Sequence, residues 1–455
     1  MVTIERRMFL KQGGLALFSL GVAPGFLART LFAESGAARR GRTLICIFQR
    51  GAVDGLAMVP PFGDAAYSAA RRTIAIPPPG RAGGALDLDG FYGLHPALDP
   101  LAPLYRSGEI AIVHACGSPH PTRSHFEAQD YMETAAPGER DVRDGWLNRA
   151  LAATPCACHA GRTLADGAAH AADHAAGQAA LAESAPLRGI AVGGELPLAL
   201  RGAVPTLAIP DLEQFGIGAA AGGGALRARG SRDRSPDPSA EAALAELYRG
   251  EEGLIAGAAE ESFDAVERLR RADPLRYASA PGVTYPAGPF GRSLRQIAQL
   301  VKADVGLEVA FADVGGWDTH QAQGGSEGQL AARLAQLGQG LRALHDDLGD
   351  RMADVVVLTM SEFGRTVAEN GTGGTDHGHG TCMLALGGPV SGGRVLGAWP
   401  GLDTDALHER RDLAITTDFR DVFAEIVVRH LQAERPDRVF PGHAIDPARF
   451  PGLLG

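Results

Sequence analysis

The sequence predicts an α/β fold in which a mainly parallel central sheet is flanked by helices, and three observations support this prediction. Short, wholly apolar runs recur along the chain, as is typical of parallel strands buried on both faces of a sheet. Segments with helical periodicity alternate with these runs. Turns that contain glycine together with aspartate or histidine border the runs, where open α/β sheets place their ligand sites.

Five apolar runs are predicted to be strands, and two periodic segments are predicted to be helices. Leucines recur at spacings of four and three from Leu330 to Leu348, which places them on one helical face. A second helix is predicted over residues 418–431, with Thr417 or Asp418 as its N-cap. The predicted strands are residues 43–48, 109–115, 305–313, 354–359 and 382–386.

The middle of the chain has a different composition. Residues 156–186 are rich in alanine and histidine, and residues 218–240 pass from glycine and alanine into a polar stretch typical of a surface loop. We therefore predict an insertion or cap over residues 150–290, within an α/β domain that spans residues 43–435. Cys156 and Cys158 lie in this insertion, but they lack CxxC spacing and a second pair nearby, which favours a surface loop over a metal site.

The first 35 residues have the pattern of a signal peptide. Arg6 and Arg7 precede an apolar stretch at residues 13–27, and small residues follow at 33–38. The arginine pair, followed by Met-Phe-Leu-Lys, favours the twin-arginine route. An ordinary secretory signal and a retained N-terminal anchor are the alternatives. The expected location is therefore the periplasm or the medium, with the twin-arginine translocation machinery as a partner.

Composition excludes several classes of protein. The 455-residue chain has a formal net charge of −10, which argues against nucleic acid as its main partner. Five cysteines are few for an exported protein, so a disulfide framework does not explain its stability. After the first 35 residues, no apolar run is long enough to form an integral membrane span.

Residues that bind metals or transfer protons lie beside all five predicted strands. Because ligands bind beyond the carboxyl ends of strands in open α/β sheets, we expect these side chains to share one polar site. Independent structural roles for each residue are the alternative. Imidazole with carboxylate suits Zn, Mn or Fe, and carboxylate alone suits Mg or Ca. The residues are Asp54, Ser124, His125, Asp318, His320, Glu362, His377 and His379.

The succession of RGAVDG, PTRSHFEAQDYME, GGWDTH, VVVLTMSEFGRT and GTDHGHG resembles a bacterial family of exported proteins, the domain-of-unknown-function family 1501. This family is placed in the alkaline-phosphatase-like superfamily, with sulfatases and phosphomutases. The resemblance covers residues 43 to about 433. It implies an alkaline-phosphatase-like core, a site with up to two divalent metal ions, and cleavage of phosphate or sulfate esters by a Ser, Thr or modified Cys nucleophile.

The resemblance also implies roles for individual residues of the site. Asp54 matches a ligand of one metal ion. Asp318 and His320 match ligands of the other, although their spacing of two is shorter than the usual four. Ser124 is the implied nucleophile and Thr122 the second choice, since the superfamily's nucleophile opens a helix where backbone N–H groups hold an anion.

The later motifs depart from the superfamily pattern. Glu362 stands where an aspartate ligand is expected, and Phe363 stands where a histidine ligand is expected. A phenylalanine cannot bind a metal, so one metal position depends on replacement by His125 or by a histidine of residues 377–379. His377 or His379 matches the last histidine ligand of the superfamily.

The function expected from these residues is an exported, metal-dependent hydrolase of phosphate or sulfate esters. Ser124 and His125 would be catalytic, and the divalent ion would be Zn, Mn, Mg or Ca. The alternative is a catalytically degenerate binding or assembly protein, which Phe363 favours. A metal-free triad is disfavoured because the chain has no G-x-S-x-G elbow, and dinucleotide binding because it has no G-x-G-x-x-G.

Overall fold

Strands and helices alternate in the computed structural model of the chain, which describes residues 41–154, 187–213, 268–269 and 271–455. The strands, in chain order, are β1 (Thr43–Arg50), β2 (Leu86–Asp87), β3 (Gly93–Leu94), β4 (Ile110–Gly117), β5 (Gly189–Ala191), β6 (Thr206–Ala208), β7 (Val309–Gly315), β8 (Val355–Met360), β9 (Thr381–Gly387), β10 (Arg394–Leu396) and β11 (Thr417–Asp418). The α-helices are α1 (Gly55–Met58), α2 (Ala65–Ala70), α3 (Ala102–Arg106), α4 (His125–Thr134), α5 (Trp146–Ala153), α6 (Pro289–Lys302), α7 (Gln329–Leu348) and α8 (Phe419–Glu425). Short 3₁₀ turns cover Pro96–Leu101, Leu198–Leu200, Pro274–Arg276, Gly349–Asp354, Pro436–Arg438 and Pro447–Arg449.

Nine of the described strands form one sheet in the order β10-β4-β9-β8-β1-β7-β5-β6, with β11 also paired to β4. Every pairing in this sheet is parallel except those of β9, which runs antiparallel to both β4 and β8. The start of β9 therefore lies at the edge where β1, β4, β7 and β8 end. We call this edge the carboxyl edge.

Apolar side chains cover both faces of the sheet. In β1, Ile45 and Ile47 pack into the core cluster that contains the leucines of α7. The alternate residues Leu44, Cys46 and Phe48 pack into a second cluster with α5 and α8. Burial on both faces explains why the strand sequences are wholly apolar rather than alternating, and it fixes the sheet in place between the two helical layers.

The structure confirms the predicted mixed α/β class with a large, mainly parallel sheet flanked by helices, and strands occur at all five predicted positions. The largest boundary error is in β7, which begins at Val309 rather than at residue 305. The chain turns just before it, because Asp304 and Gly306 have positive φ angles of 54° and 84°.

Both predicted helices are present. The periodic leucines of α7 are buried, as the spacing predicts. Asp418 caps α8 by accepting a hydrogen bond from the backbone N–H of Arg420 at 2.9 Å. The helix then widens into a π turn over Ile426–His430, where the prediction had one continuous helix.

Part of the predicted mid-chain insertion belongs to the central sheet. Strands β5 and β6 lie within residues 150–290, and β5 pairs in parallel with β7. The Cys156/Cys158 segment and the 218–240 loop lie outside the described residues, so the boundaries of the insertion stay a prediction. The signal peptide of residues 1–35 also lies outside them.

None of the helices in the described ranges combines the length and the apolarity that a membrane span needs. The cysteines in these ranges, Cys46, Cys116 and Cys382, are buried and free. Burial raises the pKa of the Cys46 thiol far above its ordinary value. These thiols therefore pack as small apolar groups.

Buried neutral histidine makes the stability of this fold depend on pH. His114 lies in β4, only 1% exposed, and its Nε2 donates to the Val59 carbonyl at 3.0 Å. Burial lowers the pKa of His114 to about 4. Between about pH 4 and 6.5 the unfolded chain therefore binds a proton that the folded chain does not, so stability falls as the pH falls through this window.

We predict that His114→Gln weakens this acid sensitivity. Each buried histidine contributes up to about 1.4 kcal/mol per pH unit to the slope of the unfolding free energy in this window. Urea unfolding of wild type and variant at a series of pH values measures the slope. The variant should lose up to that amount, and identical slopes would show that His114 is not held neutral.

Candidate metal centre

Four of the residues predicted for the site meet at the carboxyl edge. His125 begins α4 after β4, Asp318 and His320 lie in the loop after β7, and His377 lies in the loop before β9. The Nε2 atom of His377 is 2.9 Å from Nε2 of His125 and 2.9 Å from Nε2 of His320. Oδ1 of Asp318 is 3.0 Å from Nε2 of His320 and 3.4 Å from Nε2 of His377. We call these four residues the His–Asp cluster.

All three imidazole rings of the cluster are held from behind by an oxygen atom. Carbonyl and carboxylate oxygens can only accept a hydrogen bond, so each Nδ1 carries a proton, and in the neutral ring Nε2 presents a lone pair to the cluster. The hydrogen bond from His125 to Glu362 raises the pKa of His125, so a cation bound at its Nε2 would compete with a proton. The contacts are His125 Nδ1 to Glu362 Oε1 at 2.8 Å, His320 Nδ1 to Asp376 Oδ1 at 3.1 Å, and His377 Nδ1 to the Arg123 carbonyl at 2.9 Å.

Such an arrangement favours a cation between the rings. Lone pairs that face each other at hydrogen-bonding distance repel, as those of His377 and each of the other two rings would, and a positive ion turns this repulsion into attraction. Ligand atoms of His125, Asp318 and His377 all lie within 4.8 Å of one another. His320 lies outside this group, but its Nε2 is 2.9 Å from Nε2 of His377 and 3.0 Å from Oδ1 of Asp318. Oxygen acceptors behind ligating histidines are the usual second layer of protein metal sites.

A single buried guanidinium organises the loops around the cluster. Arg365, in the loop after β8, is 1% exposed and makes five hydrogen bonds to loops that leave β1, leave β7 and enter β9. It donates from Nε to the Ala52 carbonyl at 2.7 Å, from Nη1 to the Thr375 carbonyl at 3.1 Å, and from Nη2 to the Gly51 carbonyl at 2.5 Å, the Trp317 carbonyl at 3.1 Å and Asp318 Oδ1 at 2.6 Å.

The same guanidinium keeps Asp318 ionised. Partial burial alone would raise the pKa of Asp318, but the hydrogen bond and the charge of Arg365 hold this pKa below its ordinary value. The pKa of the His377 ring is lowered as well, by burial and by the nearby charges of His125 and Arg365. The cluster therefore offers an anionic oxygen beside a neutral imidazole nitrogen.

Glu362 lies behind His125 rather than among the ligands, which corrects its predicted role. It is 1% exposed, and its Oε1 accepts from the Gly51 N–H at 2.8 Å, from Gln129 Nε2 at 2.9 Å and from His125 Nδ1. Burial alone would raise the pKa of Glu362, but the hydrogen bonds from His125 and Gln129 hold it below its ordinary value. Glu362 therefore acts on the cluster as an anion that orients an imidazole.

Phe363 forms an apolar wall beside the cluster. Its ring centroid lies 5.0 Å from that of His125 and 5.1 Å from that of His377. This side chain occupies the position where the resemblance implies a histidine ligand. His125, predicted to be catalytic, comes from a different loop and brings an imidazole to the cluster.

Asp54 and His379, also predicted as metal ligands, lie outside the His–Asp cluster. Asp54 is buried, and its Oδ2 accepts from Arg71 Nη1 and from Gln323 Nε2, each at 2.7 Å. Its Oδ1 caps α1. His379 is 7% exposed and stacks on His408 with ring centroids 4.0 Å apart, where burial lowers its pKa to about 4.

Ser124 occupies the N-cap position of α4, directly before His125. Its side chain is exposed and makes no capping hydrogen bond to the helix, so the hydroxyl group is free. The preceding residue, Arg123, accepts the hydrogen bond from His377 through its carbonyl. Thr122, the second candidate nucleophile, donates its hydroxyl proton to Glu127 Oε2 at 2.5 Å and is therefore engaged.

Four residues of the site were not predicted. Arg365 and Asp376 lie in the quoted sequence motifs, next to residues that were predicted for the site. Their residue types alone do not indicate that they contact the cluster. Arg123 contributes a backbone carbonyl, which any residue could supply. Gln129 gave the clearest signal, because the resemblance implies that a helix opens at Ser124, and four positions after His125 on a helix lie on the same face.

Comparison with known proteins supports a family for part of the chain. Residues 223–441, just under half of the sequence, match the model of the family described as Protein of unknown function (DUF1501). The match includes three members of the His–Asp cluster, whereas His125 precedes it. No curated protein and no solved structure matches the chain.

We predict that Arg365→Met lowers the free energy of unfolding by about 3–5 kcal/mol, because it leaves buried carbonyls and Asp318 without their donor. Urea denaturation measures the change. Arg72→Met is the matched control, since Arg72 is exposed on the surface. Equal midpoints for the two variants would contradict the organising role of Arg365.

Proposed function

We propose that this chain is an exported, metal-dependent hydrolase of phosphate or sulfate esters, built on the alkaline-phosphatase-like fold that its motifs resemble. One observation carries the proposal. Three imidazole rings, each with an oxygen acceptor behind Nδ1, place their Nε2 atoms beside the carboxylate of Asp318. This is the donor arrangement of a divalent metal site, and it lies at the sheet edge where α/β enzymes bind their ligands.

The donor set narrows the choice of metal. Three imidazole nitrogens and one carboxylate oxygen suit Zn, and they also suit Mn. Mg and Ca prefer shells made of oxygen, so two of the four metals expected from the sequence are disfavoured. We therefore propose zinc as the resident ion.

The open side of the cluster gives access for a substrate. The side chains of Asp318 and His320 are 45% and 38% exposed, whereas Glu362 and Phe363 close the inner side. A divalent ion at this point would polarise an ester oxygen and lower the pKa of a nearby hydroxyl group. The protein side chains would hold the metal ion and orient the substrate beside it.

Ser124 is the proposed nucleophile. Its free hydroxyl lies one residue from His125, at the N-terminus of a ten-residue helix. Backbone N–H groups and the helix dipole at that end favour the anionic group of the ester. The hydroxyl oxygen would attack the phosphorus or sulfur atom and lose its proton to solvent, while the bond to the ester oxygen breaks and the alcohol or phenol leaves with a proton from solvent. Water would then release phosphate or sulfate from Ser124.

An exposed aromatic residue lies next to His125 in the chain. Phe126 follows His125 on the first turn of α4, and it is 87% exposed. A phenylalanine ring with so much surface in water is available to pack against the organic part of an ester. Aryl phosphates and aryl sulfates are therefore the first substrates to assay.

The export proposal fits the construction of the site. The ligands come from residues 125, 318, 320 and 377, so they have no common geometry until the chain has folded. The twin-arginine route carries folded proteins, which allows a metal chosen in the cytoplasm to be bound before transport.

A binding or assembly protein that has lost catalysis is the second candidate. The observation that favours it is the state of Ser124, whose hydroxyl is hydrogen-bonded to no side chain in the described part of the chain. A nucleophile that is activated by a neighbouring base would show such a contact.

We predict that the purified protein binds about one zinc ion and hydrolyses an aryl phosphate or aryl sulfate in a metal-dependent way. His377→Gln should abolish both properties, whereas His379→Gln, two residues away and outside the cluster, should preserve both. Ser124→Ala should keep the metal and lose at least about a hundredfold in kcat. Metal analysis and steady-state kinetics provide the two readouts.

The two possible negative results of this experiment lead to different conclusions. Zinc binding without turnover that depends on Ser124 would favour the binding protein. Equal metal content in the His377 and His379 variants would contradict the metal site itself.

A further inference from the structure

We infer that Gln129 is a positioning residue, which holds Glu362 so that His125 keeps the lone pair of its Nε2 directed at the metal. The inference rests on the metal site of the proposed function and adds a residue that acts through two others. Gln129 lies one turn after His125 on the same face of α4. Its Nε2 donates to Glu362 Oε1 at 2.9 Å, and its Oε1 accepts from Arg50 Nη1 at 3.0 Å.

The partners allow the side-chain amide of Gln129 only one orientation. A guanidinium has no acceptor, and a carboxylate has no donor. The amide oxygen must therefore face Arg50, and the amide nitrogen must face Glu362. The reversed amide would place an oxygen against a carboxylate and N–H groups against a cation.

Arg50 is itself firmly held. It forms ion pairs with Glu133 at 2.9 Å and with Asp313 at 2.6 Å, and its guanidinium carbon lies 4.3 Å from the centroid of the Phe48 ring. These contacts leave Nη1 to donate to Gln129. The direction of the amide is therefore set by a cation anchored at the end of β1.

The N–H of Gln129 supports the one oxygen atom that orients His125. Oε1 of Glu362 receives hydrogen bonds from the Gly51 backbone, from Gln129 and from His125. The first two fix this oxygen opposite Nδ1 of His125. The imidazole then keeps its proton on Nδ1, and the lone pair of Nε2 faces the cluster. Loss of such a supporting group lowers metal affinity by about ten- to a hundredfold in proteins.

A matched pair of variants tests this role. Gln129→Met keeps the length of the side chain and removes both hydrogen bonds. Asp130→Asn is the control, because it is the next residue of α4 and is exposed. The first readout is the tautomer of His125 in metal-free protein labelled with ¹⁵N-histidine, at a pH where the imidazoles are neutral. The second is zinc affinity in competition with a chelator, with thermal unfolding of the metal-free proteins as a check of folding.

We expect only Nδ1-protonated His125 in wild type and in Asp130→Asn, and a mixture of both tautomers in Gln129→Met. Zinc affinity should fall by about ten- to a hundredfold in Gln129→Met alone. An unchanged tautomer together with unchanged affinity would overturn the inference. If wild type binds no zinc, the proposed function fails, but the tautomers in metal-free protein still decide whether Gln129 positions His125.

Discussion

The buried guanidinium of Arg365 is the constraint on which the site depends. Its hydrogen bonds reach the loops that follow β1 and β7 and the loop that precedes β9, while Arg365 itself follows β8. These loops are rich in glycine, so they have many conformations in the unfolded chain. The five hydrogen bonds from the rigid, planar guanidinium stabilise one loop conformation in the folded chain. Three of the cluster residues, Asp318, His320 and His377, lie in loops held in this way, so the geometry of the cluster is a consequence of a structural contact.

The direction of β9 explains why so many distant motifs converge. An antiparallel strand in a parallel sheet starts where its neighbours end, so the GTDHGHG loop comes to the carboxyl edge. The prediction that all five clusters share one edge was possible from the sequence because buried strands are wholly apolar and their flanking turns carry the chemistry. The strand positions followed from the same pattern. Their ends did not, because turns such as the one at Asp304 and Gly306 depend on backbone angles that the residue types leave open.

The residues of the site could be predicted as a group, but their individual roles could not. Aspartate and glutamate can bind a metal, cap a helix or orient a histidine, and the choice depends on what lies within 3 Å in the folded chain. Asp54 pairs with Arg71, Glu362 supports His125, and His379 stacks on His408. None of these partners is near in sequence, so no local pattern distinguishes these three residues from the ligands. Phe363 lies beside the cluster, and the imidazole of His125 reaches the cluster from the start of α4.

The proposed metal site consists of the imidazoles of His125, His320 and His377 and the carboxylate of Asp318 around one divalent ion. X-ray absorption at the zinc edge of the zinc-loaded protein measures this shell directly. We predict a first shell of three imidazole nitrogens at about 2.0–2.1 Å and at least one oxygen, with loss of one nitrogen in His320→Gln. A shell made only of oxygen, or one unchanged by that substitution, would contradict the account.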